Sequence, residues 1–579
     1  MPINEAVVHG PKTPKLFSTL SPASSWPSCP PPLLFIPLAA YIPPRIISKP
    51  TFTMSTVLPP PNKRQRLEQF EKTSQQQAIE SIPADAGSLR IQFFDETTGL
   101  PIGSGPVIVP VQDANPKNLE LLLNALQGHD SSEHIPYRFT LPVPEKLAGK
   151  ITSNLITTAF PTNVYKTLLQ PGLISTEEVQ NISAAPQAVF KVRPISRCAS
   201  TIPGHGEAIL ATQFSPRTSS LMATGSGDHT ARIFDCETGT PKHTLKGHTS
   251  WVLAVSWAPD ESKIATGSMD NTVRIWDPKT GKECGKPLKG HTKWVTSLSW
   301  EPYHAQKEAN PRIASSSKDC TVRVWNANQG TIDMVFSGHK GSVSCVKWGG
   351  LGKIYTASHD KTVKVWNVND GTLAMTLNSH AHWVNHLALS TDFVLRTAYH
   401  DHTGTIPKTD AEKKKAAQER FTKAATISGV LTERLVSASD DFTMFLWDPL
   451  NHSSPSKHIA RLQGHQKQVN HVTFSPDGLL IASCGFDNHT KLWNARDGKF
   501  INTLRGHVGP VYQCAFSPDS RLLVTGSKDT TLKVWDMKTH KLSVDLPGHQ
   551  DEVYAVDWAP DGQKVGSGGK DKAVRVWKN

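Results

Sequence analysis

Two groups of residues in this chain could do chemistry by type and spacing. The first is a histidine–aspartate pair that recurs in one frame. His205, His248, His291, His339, His380, His465, His507 and His549 are followed by Asp228, Asp270, Asp319, Asp360, Asp441, Asp487, Asp529 and Asp571. An imidazole beside a carboxylate can move a proton. Here each aspartate stands six residues before an aromatic: Phe234, Trp276, Trp325, Trp366, Trp447, Trp493, Trp535 and Trp577. A glycine precedes every one of the histidines except His380, which follows Ser379. Eight copies of one frame point to architecture, because partly buried polar groups repeated in this way must pair with one another. The second group is HAHWVNH (380–386), three histidines within seven residues. His380 holds the repeat slot, while His382 and His386 have no cysteine or acidic ligand in frame. No metal or cofactor of the chain's own is expected. There is no Walker A motif and no GxSxG elbow, so a non-enzymatic protein without a small-molecule substrate is expected.

The elements that must position these residues are short strands. Val252–Trp257 and Thr272–Trp276 are apolar or alternating at strand length, and Gly, Asp and Ser-Pro-Asp turns separate such segments. A period this regular over about two thirds of the chain resembles the WD40 family. The resemblance implies a mainly β fold, an eight-bladed WD40 β-propeller in which His, Asp and Trp tie outer to inner strands. The last copy ends at Trp577-Lys578-Asn579, directly after its third strand. The β-branched, apolar stretch Gln187–Arg193 is therefore expected to close the ring, and deleting Ala188–Val192 to collapse its stability.

The formal charge is +12, from 62 Lys and Arg against 50 Asp and Glu, which favours acidic partners such as RNA. Eight cysteines form no CxxC pair and read as reduced, mostly buried thiols. No apolar run approaches the ~20 residues of a membrane span, so no membrane partner is expected. Residues 1–53 carry twelve prolines, and MSTVLPPPNKRQRLEQ from Met54 reads as a more natural start. We expect 1–87 to be a disordered extension and linker, 88–186 a compact α+β domain, and 187–579 the propeller. The Lys63-Arg64-Gln65-Arg66 cluster reads as a solvated basic run rather than a nuclear address.

Within 88–186, LRIQFFD and PVIVPV read as strands, NLELLLNAL as a helix opened by Asn115-Pro116, and IPYRFTLP as a further strand. This ββαβ order is ubiquitin-like; Thr152–Asn163 shows no clean period and reads as an insertion. A basic insertion is also expected in blade five, about 399–429. His380 to Trp447 spans 67 residues against 27 to 34 in the other copies, and 408–423 carries six Lys and Arg with three Asp and Glu. It reads as a partly helical loop, either solvated or touching RNA.

A ubiquitin-like unit ahead of an eight-bladed WD40 ring is similar to the Notchless family of ribosome-assembly factors. PQAVFKVRPISRC (186–198), SLSWEPYHA (297–305), HWVNHLALSTDFVLRT (382–397) and LPGHQDEVYAVDWAPDGQKVGSGGKDKAVRVW (546–577) carry the likeness beyond the generic repeat. It implies a nuclear and nucleolar factor of the large (60S) subunit. The propeller would dock on pre-60S particles, on rRNA, ribosomal proteins and other assembly factors, and the ubiquitin-like domain on the AAA ATPase midasin. The family places at Glu177 an acid that completes, in trans, a Mg²⁺ site of that ATPase. Hard divalent cations take oxygen ligands, and Glu178, Glu120 or Asp130 are the alternatives. From the residues alone, Glu177 would only favour a helical first turn after Ser175.

On the ring face that carries the repeat histidines, Trp251, Trp294 and Trp383 stand three residues past them, near Lys293, Lys318, Lys467, Lys528 and Lys570. Exposed aromatics among lysines suit a protein hot spot or a stacked base, and otherwise pack on neighbouring loops. Two rival readings are the WD40 ribosome-biogenesis factor that works with Pescadillo and block-of-proliferation proteins, and a substrate receptor of a ubiquitin ligase.

Overall fold

A computed structural model describes residues 87–95, 101–127, 137–144, 155–159, 164–170, 174, 176–186, 192–217, 219–307, 310–401, 407–427, 430–450 and 456–579. The extension 1–53, the Lys63–Arg66 cluster, Asp130 and residues 187–191 lie outside these.

The N-terminal domain is a five-stranded sheet with one helix. Its strands are β1 (Ser88–Asp95), β2 (Pro101–Pro110), β3 (Tyr137–Pro144), β4 (Leu155–Ala159) and β5 (Val179–Pro186), in the order β2-β1-β5-β3-β4. β1 and β5 run parallel, and the other pairs are antiparallel. Helix α1 (Pro116–Gln127) begins where the Asn115 side chain accepts a hydrogen bond from Asn118 N at 2.9 Å, with proline in the first turn where no amide hydrogen is needed. Its Leu119 and Leu123, one turn apart, are buried with Leu89, Ile91, Phe93, Phe139, Leu141 and Ile182. Burying each such side chain stabilises by about 1.5–3 kcal/mol. The aperiodic 152–163 stretch is not an insertion: it contains β4, which pairs with β3 from Thr140↔Ala159 to Pro144↔Leu155.

Eight four-stranded antiparallel sheets form the blades of the ring, and Thr426–Ile427 pairs with Val430–Leu431 in a separate two-stranded sheet. Side chains at the inner strands stitch neighbouring blades. Thr296 Oγ1 donates to Val343 O at 2.7 Å, Ser344 Oγ to Val384 O at 2.5 Å, Asn385 Nδ2 to Val469 O at 3.0 Å and Asn470 Nδ2 to Tyr512 O at 2.8 Å. The ring closes through β6 (Arg197–Pro203), which pairs with the C-terminal strand from Ala573↔Pro203 to Lys578↔Arg197. The closing strand is thus not the expected Gln187–Arg193 but begins ten residues later. Val192 instead gives its amide hydrogen to Asp519 Oδ2 at 2.8 Å and packs with Ile195 against the last two blades. The deletion test moves accordingly to 197–203. Outer strands are the least buried of a blade, so apolar richness was the wrong guide; β6 buries only Ile202 well.

Blade five carries its insertion between Val384–Leu389 and Leu435–Ser439. Helix α2 (Asp392–Thr397) sends Arg396 across the ring to the far blades. Its guanidinium donates to both Asp557 carboxylate oxygens at 2.8 and 2.5 Å and to Phe214 O at 3.3 Å. Phe214 N donates to the same Asp557 at 2.7 Å. Helix α3 (Asp410–Ala425) opens with a capping box between Thr409 and Glu412 and buries Ala417, Phe421 and Ala425. Phe421 stacks on His304 at 4.8 Å, and a side chain at Gly350 would strike its ring. The basic residues are partly spent inside. Lys414 donates to Gln306 O at 2.8 Å, and Arg420 to the carbonyls of Ala398 and His400 at 2.5 Å. Beneath it Glu433 is fully buried, accepting from Thr391 Oγ1 at 2.5 Å, Gly350 N at 3.1 Å and Tyr355 OH at 3.3 Å. The insertion expected as a partly helical basic loop is helical in its described part, packed on the ring by one face, with Lys408, Lys415 and Lys423 exposed on the other.

Candidate functional site

The repeat histidines sit in closed hydrogen-bond chains. In blade two, His248 Nδ1 meets Asp270 Oδ2 at 2.7 Å and Nε2 meets Thr266 Oγ1 at 2.7 Å, and Trp276 Nε1 donates to that hydroxyl at 2.9 Å. The same chain links His291, Asp319, Ser315 and Trp325; His339, Asp360, Thr356 and Trp366; and His380, Asp441, Ser437 and Trp447. It recurs with His465, Asp487, Ser483 and Trp493; His507, Asp529, Thr525 and Trp535; and His549, Asp571, Ser567 and Trp577. Blade one keeps His205, Asp228 and Thr224, but Phe234 supplies no ring N–H. An imidazole protonated at Nδ1 satisfies every bond, which leaves no lone pair for chemistry. Sequence reasoning missed the Ser/Thr at the centre of each chain, ten residues before the aromatic.

Burial alone would raise these carboxyls. The histidine bond, helped in most blades by a Thr hydroxyl and in all by backbone amides, outweighs it and holds Asp228, Asp270, Asp319, Asp360, Asp441 and Asp529 well below the ordinary range, and Asp487 at about 2. Burial also pushes His471 down to about 3 and His400 to about 4. In both groups the unfolded chain binds more protons than the folded one as pH falls, so stability drops. The melting temperature is expected to decline from about pH 6.5, as unfolded histidines titrate, and more steeply below about pH 4, where unfolded carboxyls do. A melting temperature that rises between pH 6 and pH 3 in scanning calorimetry contradicts this account.

The three histidines of 380–386 are dispersed. His380 is in its chain, His382 lies exposed 3.7 Å from Asp440, and His386 packs on His471 with ring centroids 4.2 Å apart. Among the described residues no group of three or more potential ligands could hold a metal.

Glu177 and Glu178 are exposed in a bend that leads into β5, the middle strand of the N-terminal sheet. Val179, the next residue, is 44 % exposed and pairs with Arg90, which pairs in turn with Ile108, 63 % exposed. An acidic bend thus adjoins a row of one cation and two apolar side chains. The alternative Glu120 is half-buried on α1.

On the histidine face, Trp251, Trp294 and Trp383 are 41–48 % exposed. Lys318 Nζ lies 4.3 Å over the Trp294 ring, and Trp383 stacks on His359 at 4.6 Å with 9° between planes. The lysines divide. Lys528 reaches Glu552 at 3.5 Å and Lys570 reaches Asp551 at 3.4 Å, whereas Lys293 and Lys467 are exposed with no ion pair among the described residues.

The family model "WD domain, G-beta repeat" matches residues 196–235, 239–277, 282–326, 330–367, 456–494, 498–536 and 540–578. Among curated relatives, Ribosome assembly protein 4 of Chaetomium thermophilum is 57% identical over 449 residues, 77% of this chain and 85% of the relative. Its Saccharomyces cerevisiae namesake is 53% identical over the same shares, and the Notchless protein homolog of Arabidopsis thaliana 47% over 72% and 83%. The chain belongs to the Notchless family of ribosome-assembly factors. A solved structure, the computationally designed Ika8 protein, superposes with a TM-score of 0.51 at 26% identity over 66% of this chain and all of that one. Seven repeats are matched and eight blades are present; the unmatched stretch between 367 and 456 holds the outer strand of blade four and three strands of blade five, which the insertion of this Notchless-family chain interrupts. Each matched repeat begins with the preceding blade's outer strand, so the first, 196–235, already contains β6.

Proposed function

We propose that this chain is a non-enzymatic assembly factor of the large ribosomal subunit, acting in the nucleus and nucleolus. The propeller docks on pre-60S particles, on rRNA and protein. The N-terminal domain docks on the ATPase midasin, where the Glu177 carboxylate completes a Mg²⁺ site that belongs to the partner. ATP-driven movement of midasin then reaches the particle through this chain and drives remodelling or release of factors.

The observation that carries the reading is the exposed Glu177-Glu178 bend beside Val179, Arg90 and Ile108 in a chain of this family. A carboxylate on a bend can enter a partner's metal shell, and the flanking apolar side chains add contact area while Arg90 adds charge pairing. The relatives named as ribosome assembly proteins favour this reading over a ligase receptor.

The full-length chain is expected to bind the midasin adhesion domain with Mg²⁺ and not with a chelator. Glu177→Ala should weaken binding by about 100-fold or more, equivalent to about 2.8 kcal/mol. Titration calorimetry reads both. Binding that survives chelator and substitution alike sinks the metal-bridged mode.

A further inference from the structure

The histidine face of the ring is divided chemically. In blades seven, eight and one its lysines are matched with acids: Lys528 with Glu552, Lys570 with Asp551, and Lys572 with Glu207 at 3.6 Å. In blades two to four, the top-loop carboxylates are Asp270, Asp319 and Asp360, each committed to its histidine. Lys293, Lys318, Lys340 and Lys361 stand exposed there, with no ion pair among the described residues. Asp440, at the blade-five end, already holds Asn385 at 2.7 Å and lies 3.7 Å from His382.

The three exposed tryptophans fall on this carboxylate-poor half, and each is backed by something fixed. Trp251 lies against Gly227, where an added Cβ would come 3.6 Å from the ring. Trp294 carries the Lys318 ammonium, and Trp383 rests on His359, whose imidazole burial keeps neutral. The rings recur at the same slot of different blades, separated by lysines, hydroxyls and the half-buried Met269 rather than by a continuous apolar surface. A protein hot spot needs a packed, desolvated apolar centre. Isolated planar rings alternating with unpaired ammonium groups instead match a polymer of planar bases alternating with phosphates.

We propose that this arc, from Trp251 through Trp294 to Trp383, binds single-stranded RNA, stacking bases on the tryptophans and seating phosphates on Lys293, Lys318, Lys340 and Lys361. The choice of RNA as the source rests on the proposed role in ribosome assembly; the stacking and charge argument does not.

The test uses the full-length chain and a fluorescein-labelled single-stranded oligoadenylate of about 12 nucleotides, within the usual length of such sites. Saturable binding is expected, falling with salt at a log–log slope of about −3 for four phosphates. Trp294→Ala should weaken it about tenfold. Trp251→Ala, Trp294→Ala and Trp383→Ala combined should abolish it, and the three Trp→Phe changes should keep most of it. Lys293→Gln with Lys340→Gln and Lys361→Gln, surface changes that spare the fold, should flatten the salt slope to about −1. Lys528→Gln in the ion-paired half should change nothing. No binding at low salt, or binding that the triple tryptophan variant retains, overturns the proposal. An acidic peptide, such as oligoglutamate, bound through the same tryptophans when the RNA is not would reassign the arc to a protein. Mg²⁺-dependent binding of the tryptophan variants to the midasin adhesion domain reads the other domain separately.

Discussion

A chain lacking residues 197–203, with its flanking segments rejoined, is expected to lose its cooperative melt and to aggregate. β6 is the fourth strand of the last blade, and without it the C-terminal strand Ala573–Lys578 presents an unpaired edge. The ladder from Pro203 to Arg197 is lost together with buried Ile202, and Arg575 loses Thr201 as its hydrogen-bond acceptor at 2.9 Å. The combined cost should exceed the ~4–5 kcal/mol that marks an exceptional single change. Ile202→Asp tests the same contact within an intact chain, by placing a charge where the structure buries a side chain among Phe234, Val574 and Val576. Soluble variants that melt within about 2 °C of the parent would show that the ring does not depend on this closure.

Arg396→Met should destabilise the propeller by about 3 kcal/mol and loosen the insertion first. The bidentate pair with Asp557 is largely shielded, and breaking it leaves Asp557 with the Phe214 amide as its one donor among the described residues. Removing one member of a shielded pair costs more than the pair contributes, because the remaining charge stays desolvated. The double variant Arg396→Met, Asp557→Asn should therefore recover part of the loss. Hydrogen exchange would show the change as faster opening of α2 and α3 well before the blades respond. Equal acceleration across all eight blades, or none in the helices, would mean that Arg396 does not hold the cap.

What could be read in advance follows from how local the governing interactions are. The His, Asp and Trp of each blade lie within one repeat, so their frame is visible in the order of residues, and with it the blade number. β6 does not stand out by apolar richness, because an outer strand carries one buried residue two places before the Gly-His pair. Ile202, Leu245, Leu288, Phe336, Leu462, Leu504 and Leu546 all hold that slot, as does Leu377 before Ser379. The insertion looked solvated because six Lys and Arg crowd residues 408–423; the Ala417, Phe421, Ala425 stripe shows only when read at helical spacing. Arg396 could not be read as an anchor, since its partner is 161 residues away. The exposure of Glu177 and Glu178 fits a polar bend, but their proposed role depends on the family likeness and not on anything in the bend itself.

The pairing of β6 with the final strand also fixes an order of biosynthesis. β6 emerges early: Pro203 lies 370 positions before its partner Ala573, and Arg197 lies 381 before Lys578. At about 5–20 residues per second, the strand waits roughly 20–75 s on the ribosome before it can be used. Its sequence suits the delay: RCASTIP is capped by arginine and proline and has a single large aliphatic side chain, a poor template for pairing with another nascent chain. A message cut short before residue 573 would yield a chain whose ring never closes, because β6 then has no strand to pair with.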